Sequence, residues 1–253
     1  MISDKKIRII PSILYNKLTA IRGKNFEGWR VIGNVLQTTR LYSKRNIDEL
    51  FFLDTEATRS QKINLEIIKE FTKDCFMPIT IGGGIKSIED IDNLLKMGAD
   101  RVCLNTSAFN DSELVANAIK KFGSQCIVVS IDYKNINKIP IVFIDSGRIQ
   151  TKINLFDYIK KIDELGPSEI VLTSIDHDGM MKGYDIKNLK LLKKKIQTSI
   201  IASGGAGSYE DVYNMIKETG IQNISASSIF HFTEITPNTL KRYLSDKGLN
   251  IRK

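Results

Sequence analysis

The stretch ITIGGGIKSIEDIDNLLKMGADRVCLNTSAF (79–109) returns in diverged form as IIASGGAGSYEDVYNMIKETGIQNISASSIF (200–230). At a constant offset of 121 residues the copies are identical at ten of 31 positions. The matches include Gly83/Gly204, Gly84/Gly205, Ser87/Ser208, Glu89/Glu210, Asp90/Asp211, Asn93/Asn214, Lys96/Lys217, Ser107/Ser228 and Phe109/Phe230. Each copy reads as strand, glycine turn, amphipathic helix, strand. An offset near half of a 253-residue chain implies two similar halves. The first strand obeys the same symmetry, since IIPSIL (9–14) lies on IVVSID (127–132).

Outward from this repeat, short apolar runs alternate with helical patterns. Strands are predicted at RIIPSIL (8–14), DELFFLD (48–54), PITIG (78–82), RVCLN (101–105), CIVVSID (126–132), SEIVLTS (168–174), SIIAS (199–203) and NISAS (223–227). Helices between them include NLEIIKEFTKDC (64–75), SIEDIDNLLKMG (87–98) and SYEDVYNMIKETG (208–220). Strands that are apolar throughout, each followed by a helix, belong to a parallel sheet covered on both faces or closed on itself. Eight such units fit a (β/α)8 barrel, with an open doubly wound sheet as the competitor. The half-chain repeat decides for the barrel, built from two half-barrels of four units. No linker or composition shift breaks the chain, so residues 1–253 read as one domain.

Composition narrows the function classes. Apolar residues make up 42% and charged residues 26%, which excludes a disordered tail and a membrane bundle. No apolar run approaches the roughly 18–20 residues of a spanning helix. The opening MISDKKIRIIPSIL has no long apolar core or cleavage site, so a cytoplasmic location is expected. Lys+Arg exceeds Asp+Glu by 37 − 29, or +8, which favours anionic partners. The basic residues are scattered, and KNLKLLKKK (187–195) reads as a solvated helix face. No basic motif interleaved with aromatics is present, so nucleic acid is not an expected partner. Cys75, Cys103 and Cys126 are odd in number and widely spaced, which points to buried free thiols rather than disulfides or a zinc site. Neither metal nor cofactor is expected.

In barrels of this kind the reactive groups sit at the C-terminal ends of the strands. Gly83 and Gly84 end the third predicted strand, with Asn105 and Thr106 at the end of the fourth. Gly204, Gly205, Ser227 and Ser228 mirror them in the second half. Glycine lets backbone approach an anion closely, helix-start N–H groups point at it, and hydroxyls add donors. Two symmetric cradles predict a ligand with two phosphates at opposite ends; the alternative is purely structural turns. Asp132 closes an apolar strand where burial can raise its pKa toward a working value, the alternative being a loop cap. Its repeat partner is Leu14, so the mouth has one acid–base group where symmetry would give two. Asp54 and Asp178 can supply further polar contacts, while His177 and His231 read as residues bonded to their neighbours. Arg8, Glu49, Arg101 and Glu169 stand at strand beginnings, where a ring of charges is ordinarily a stability feature.

These residues resemble the HisF family, the cyclase subunit of imidazole glycerol phosphate synthase. The resemblance runs over about 7–252 and is most specific at IDELFFLD (47–54), ITIGGGI (79–85), GADRVCLNTSA (98–108), FGSQCIVVSID (122–132), EIVLTSIDHDGMMKGYD (169–185), IIASGGAG (200–207) and SIFHFTEI (228–235). A related isomerase of histidine synthesis shares the half-barrel repeat, but SIDHDG, SGGAG and FHFTEI look like the cyclase branch. The resemblance implies a barrel docked at its strand N-terminal face onto a HisH-like glutaminase, as a heterodimer. Ammonia then passes up the barrel to a bisphosphorylated ribulosyl substrate. Arg8, Glu49 and Glu169 match the family's channel-entrance ring and Arg101 stands where a lysine is usual, which turns the reading of these charges from stability to an ammonia gate. Asp100 matches a position facing the glutaminase. Asn105, Thr106, Ser146, Thr173, Asp178, Gly179, Gly204, Gly205 and Ser228 match substrate or phosphate positions, and Asp132 matches one of two catalytic aspartates.

The departures lie at one end. The family's other catalytic aspartate falls on Leu14, and its strand-1 pattern CLDVKDGRVVKG reads here SILYNKLTAIRG (12–23). Its loop-1 lysine becomes Arg22, and a threonine after the DG pair becomes Met180. The substrate end of the first strand is rebuilt while the ammonia path is kept. The leading expectation is a HisF-like subunit that takes ammonia from a glutaminase for chemistry other than ring closure. Relatives of this kind accompany surface-polysaccharide genes, where a third protein, a sugar amidotransferase, converts an acetamido sugar to an acetamidino sugar. The alternatives are the ordinary cyclase–lyase of histidine synthesis and a non-catalytic conduit that activates the glutaminase.

Overall fold

The computed structural model describes residues 6–60, 62–73 and 75–252. Twelve strands form one sheet: β1 (Arg8–Asn16), β2 (Thr19–Lys24), β3 (Glu27–Asn34), β4 (Leu50–Asp54), β5 (Ile79–Gly82), β6 (Arg101–Leu104), β7 (Ile127–Ile136), β8 (Ile139–Ile144), β9 (Ile149–Asn154), β10 (Glu169–Ser174), β11 (Ser199–Ser203) and β12 (Asn223–Ala226). Eight of them pair in parallel around a closed ring, β1–β4–β5–β6–β7–β10–β11–β12 and back to β1. The protein is a (β/α)8 barrel.

The helices are α1 (Val35–Ser43), α2 (Ala57–Ser60), α3 (Leu65–Lys73), α4 (Ile88–Lys96), α5 (Thr106–Asn110), α6 (Ser112–Phe122), α7 (Leu155–Leu165), α8 (Ile186–Lys193), α9 (Tyr209–Thr219), α10 (Ser228–Phe232) and α11 (Pro237–Asp246). The helix predicted over 64–75 forms as α3, and its Asp74 lies outside the described residues. So do residues 1–5 of the opening segment read for a leader. Several identities of the repeat have a local cause. Ser87 caps α4 by accepting from Asp90 N–H at 3.0 Å while Asp90 accepts from Ser87 N–H at 3.0 Å. Ser208 and Asp211 build the same reciprocal cap on α9 at 3.1 and 2.9 Å. Such a box satisfies helix-start donors that have no partner within the helix.

The eight predicted strands are all present, but the sheet corrects the sequence reading in its first and fifth units. There β1 continues antiparallel into β2 and β3, and β7 into β8 and β9, before the helix begins. The two hairpins sit at the same place in each half-barrel and rise from the C-terminal face. A second correction concerns the thiols: the three cysteines form no disulfide, but only Cys103 is buried, with Cys75 and Cys126 half-buried.

Alternation along the strands divides the core. Ile9, Ile13 and Phe52 face the helices, where Phe52 stacks on Phe71 with centroids 3.6 Å apart and on Tyr15 at 4.2 Å. Ile10, Phe51, Cys103, Val128, Val171 and Ile201 fill the bore as a separate buried cluster. Two residues further along their strands come Ser12, Ser130, Thr173 and Ser203, which with Ser225 of β12 border the cavity at the C-terminal end.

Candidate active site

The floor of the barrel is closed by charge. Arg8 Nη1 lies 3.2 Å from Glu49 Oε2, and Arg8 Nη2 pairs with Glu169 Oε1. Arg101 completes the circuit through Nη2 to Glu49 Oε2 and Nη1 to Glu169 Oε2. Signs alternate around the ring, so every charge has two opposite neighbours. Remaining acceptors are also satisfied: Thr80 Oγ1 donates to Glu49 Oε1 at 2.6 Å, Arg8 Nε to Asn223 Oδ1 at 2.9 Å, and Asn223 Nδ2 to Glu169 Oε1 at 3.3 Å. Burial pushes the Glu49 carboxyl up, opposed by Arg101, Thr80 and Arg8. Burial also works against the Arg101 charge, but Glu49 and Glu169 outweigh it and hold the guanidinium above its ordinary pKa. Asp100, beside this ring, is exposed and accepts from Ile79 N–H at 2.8 Å.

The other end opens into a cavity bordered by Leu14, Arg22, Phe26, Trp29 and Leu53 on one side and by Asn105, Thr106, Asp132, Ser146, Thr173 and Asp178 on the other. Asp132 lies on β7 opposite Thr173 of β10 in the sheet register. Its Oδ2 accepts from Asn105 Nδ2 at 2.7 Å. Burial raises its pKa to about 7; the bonds from Asn105 and Thr173 oppose the shift and the Asp178 charge adds to it. A carboxyl poised there can give or take a proton near neutral pH. Asp178 is buried at 4% exposure, and burial pushes its carboxyl up against the opposing Arg22 charge. Arg22 reaches in from β2, with Nη2 3.9 Å from Asp178 Oδ1 and 3.5 Å from Ser12 Oγ. Arg22 Nε and Asp178 Oδ2 are both buried without a hydrogen-bond partner.

The glycine pairs prove to have structural duties. A Cβ on Gly83 would lie 2.3 Å from Asp54 O, and one on Gly84 2.7 Å from Ala57 Cβ. At Gly204 and Gly205 the contacts would be 2.8 Å to Ser174 O and 2.1 Å to Gly183 O. Close packing against the preceding loop therefore accounts for these glycines by itself. Gly179 is likewise pressed against Gly23 O of the first hairpin, at 2.1 Å for a Cβ. The sharper anion signal comes from the hydroxyls. Ser227 Oγ and Ser228 Oγ are buried with no partner, two donors free for a ligand oxygen. In the other half, Thr106 Oγ1 accepts from Asp145 N–H at 3.0 Å and Ser146 donates to Thr55 O at 3.2 Å.

Of the remaining candidates, Asp54 also lines this cavity, while His177 and His231 bond to their neighbours. Asp54 caps the start of α2 by accepting from Glu56 and Ala57 N–H at 2.9 and 3.0 Å. His177 Nδ1 and Ser174 Oγ share a hydrogen bond of 2.8 Å, and His231 Nε2 lies 3.0 Å from Tyr42 OH. Burial lowers the His231 pKa to about 4, with Arg22 and Arg45 adding to the effect, so that ring is neutral. Among the described residues no group of three or more His, Cys, Asp or Glu is placed to hold a metal ion, and no helix is long and apolar enough to cross a membrane. Sequence reasoning missed the hydroxyl layer of Ser12, Ser130, Ser203 and Ser225, although for Ser12 its place four residues after Arg8 on one strand was a usable signal. It also missed the apolar wall of Phe26 and Trp29, which the first hairpin brings to the mouth.

Comparison with known proteins matches residues 8–236 to the family described as "Histidine biosynthesis protein". The chain is 39% identical to "Imidazole glycerol phosphate synthase subunit HisF" of Natranaerobius thermophilus, over 97% of this chain and 98% of the relative. It is 39% identical to the protein of the same name from Chlorobium phaeovibrioides, with the same coverage. It is 38% identical to "Putative imidazole glycerol phosphate synthase subunit hisF2" of Campylobacter jejuni, over 98% of each chain.

Proposed function

The chain belongs to the histidine biosynthesis protein family, with the HisF-type subunits of imidazole glycerol phosphate synthase, and from that premise we propose that it takes ammonia from a HisH-like glutaminase for use at a mouth no longer built for ring closure. The glutaminase docks at the strand N-terminal face, where Asp100 is exposed beside the floor ring. Ammonia enters when one link of Arg8, Glu49, Arg101 and Glu169 opens. The apolar layer above passes neutral ammonia and rejects ammonium, because a bare charge there has no solvation. The hydroxyls of Ser12, Ser130, Thr173, Ser203 and Ser225 then offer hydrogen bonds in turn up to Asp132.

The observation that carries this reading is the pairing of a proton-active Asp132 with Leu14 across the same cavity. Asp132 alone can move one proton; a hydrocarbon opposite it cannot complete an acid–base pair. Phosphate oxygens of the ligand are held by Ser227 and Ser228 at one end and by Asn105 and Thr106 at the other. The reading assigns the ammonia to amidination of a sugar in surface-polysaccharide biosynthesis, with a sugar amidotransferase as third component, in the cytoplasm. The test is Leu14→Asp, assayed on the bisphosphorylated ribulosyl substrate of ring closure. Cyclase activity in the native chain would return it to histidine synthesis; activity absent from the native chain and gained in the variant assigns the loss to Leu14, and no gain in the variant means that more than Leu14 has been rebuilt. That second reading is favoured by the full-length likeness to HisF subunits.

A further inference from the structure

Trp29 is the chain's single tryptophan, and it sits on the outermost strand of the first hairpin, β3, which pairs only with β2. Edge strands are ordinarily blunted with charge, and residues Glu27 to Val31 of this one are exposed. An indole there, 41% exposed, leaves apolar surface in water. Its position is nonetheless built. A Cβ on Gly23 of β2 would meet Glu27 O at 2.4 Å and Trp29 Cε3 at 3.0 Å, so the indole lies directly against the Gly23 backbone. The hairpin turn is fastened across the mouth: Asn25 N–H donates to Asp178 O at 2.8 Å, and Asn25 Nδ2 to Ile175 O and Asp176 O at 3.0 and 2.9 Å. Next to it, Phe26 fills the space that a Cβ on Gly147 would need, 2.7 Å from the phenyl ring.

The consequence is a cavity with two kinds of lining: Trp29, Phe26 and Leu14 are apolar, and Asn105, Asp132 and Thr173 can hydrogen-bond. A ring presented with its face to the indole and its edge to the hydrogen-bonding groups satisfies both kinds at once; an acyclic chain satisfies only the second. Saturated sugar rings and planar heterocycles share that chemistry, since both offer a face to an aromatic ring. We propose that Trp29 is a specificity-determining binding residue whose indole packs on the ring of a phosphorylated ligand, selecting ring-bearing ligands against acyclic phosphates. The assignment rests on the reading of the mouth as a phosphate-binding site.

Because Trp29 is the only tryptophan, its emission reports the contact directly. Three probes are titrated into the full chain: glycerol 3-phosphate, glucose 6-phosphate and adenosine 5′-monophosphate. At least one ring-bearing probe should bind roughly tenfold more tightly than glycerol 3-phosphate and change the emission. Preference for glucose 6-phosphate identifies a sugar face, and preference for the nucleotide a planar one. By calorimetry, Trp29→Leu should bring the preferred probe down to the level of glycerol 3-phosphate, with glycerol 3-phosphate binding and melting temperature unchanged, and Trp29→Phe should keep part of the preference. Equal binding of all three by the native chain, or a preference that survives in Trp29→Leu, overturns the stacking role alone. Binding of none of the three overturns the phosphate-site reading and the stacking role with it.

Discussion

Asp132 and Leu14 stand on strands β7 and β1, four places apart in a closed ring of eight, so a titratable carboxyl faces a hydrocarbon across one cavity. Asn105 fixes the carboxyl at 2.7 Å and burial brings its pKa to about 7. Below them the four floor charges pair in a closed ring, and a buried apolar cluster fills the bore. On the function proposed above, the delivery end of the barrel is kept while the chemical end is altered.

The Asp132 pKa has a stability consequence with a definite sign. Its value rises from 3.8 to about 7 on folding, so the native state holds a proton that the unfolded state releases. Stability from this site is unaffected below about pH 4, falls as pH climbs between the two values, and is at its lowest above 7. Asp132→Asn removes that penalty. The variant should melt higher than the native chain at pH 8, by on the order of 2 kcal/mol or roughly 4–8 °C, with the gap closing near pH 4. Thermal melts at the two pH values check this; a gap that is equal at both, or larger at pH 4, contradicts it.

The floor ring makes a second prediction, because removing one partner of a buried pair strands the others. Glu49 is 1% exposed and bonds Arg8, Arg101 and Thr80. Glu49→Ala should destabilise by about 3 kcal/mol, roughly 6–12 °C in melting temperature by calorimetry. A change within about 1 °C would mean that the four charges are already solvated.

Arg8 is the more exposed cation of the ring, its side chain 29% accessible. With a glutaminase bound, Arg8→Ala should leave glutamine hydrolysis running while ammonia transfer to the mouth drops, seen as glutamate produced without matching product. Stoichiometric coupling in that variant would remove the gate role from the ring.

Glycines that look equivalent in the sequence should differ sharply on substitution. Gly205 has φ of +119°, and its added Cβ would sit 2.1 Å from Gly183 O. Gly205→Ala should cost about 3 kcal/mol or more, through strain and a backbone clash together. Gly166 has φ of +73° with nothing within 4 Å, so Gly166→Ala should cost only about 1 kcal/mol. Urea denaturation of the two variants separates the cases, and equal losses would show that conformation rather than contact governs both sites.

The barrel strands were legible because each is an apolar run bracketed by turn residues, and the repeat tied the halves together. The hairpins were not. Their two-residue turns, Asn25–Phe26 and Asn137–Lys138, put positive φ on Phe26 and Lys138, where glycine is the usual sign. With the second strand of each hairpin unread, the entry of Arg22 into the bore and the placing of Phe26 and Trp29 over the mouth had no basis in the sequence. The floor charges were easier, since Arg8, Arg101 and Glu169 open their strands and Glu49 directly precedes one. The glycine doublets have a reason the sequence did not carry: contacts from Asp54 O and Gly183 O demand them whether or not a phosphate binds.

On the function proposed above, the mouth with Asp132 and Leu14 no longer closes an imidazole ring. The direct test is turnover of the bisphosphorylated ribulosyl substrate with saturating ammonium salt and no glutaminase, so that only the mouth is examined. No turnover is expected from a folded chain that still binds phosphate; turnover at the rate of an ordinary HisF cyclase would show that ring closure is retained.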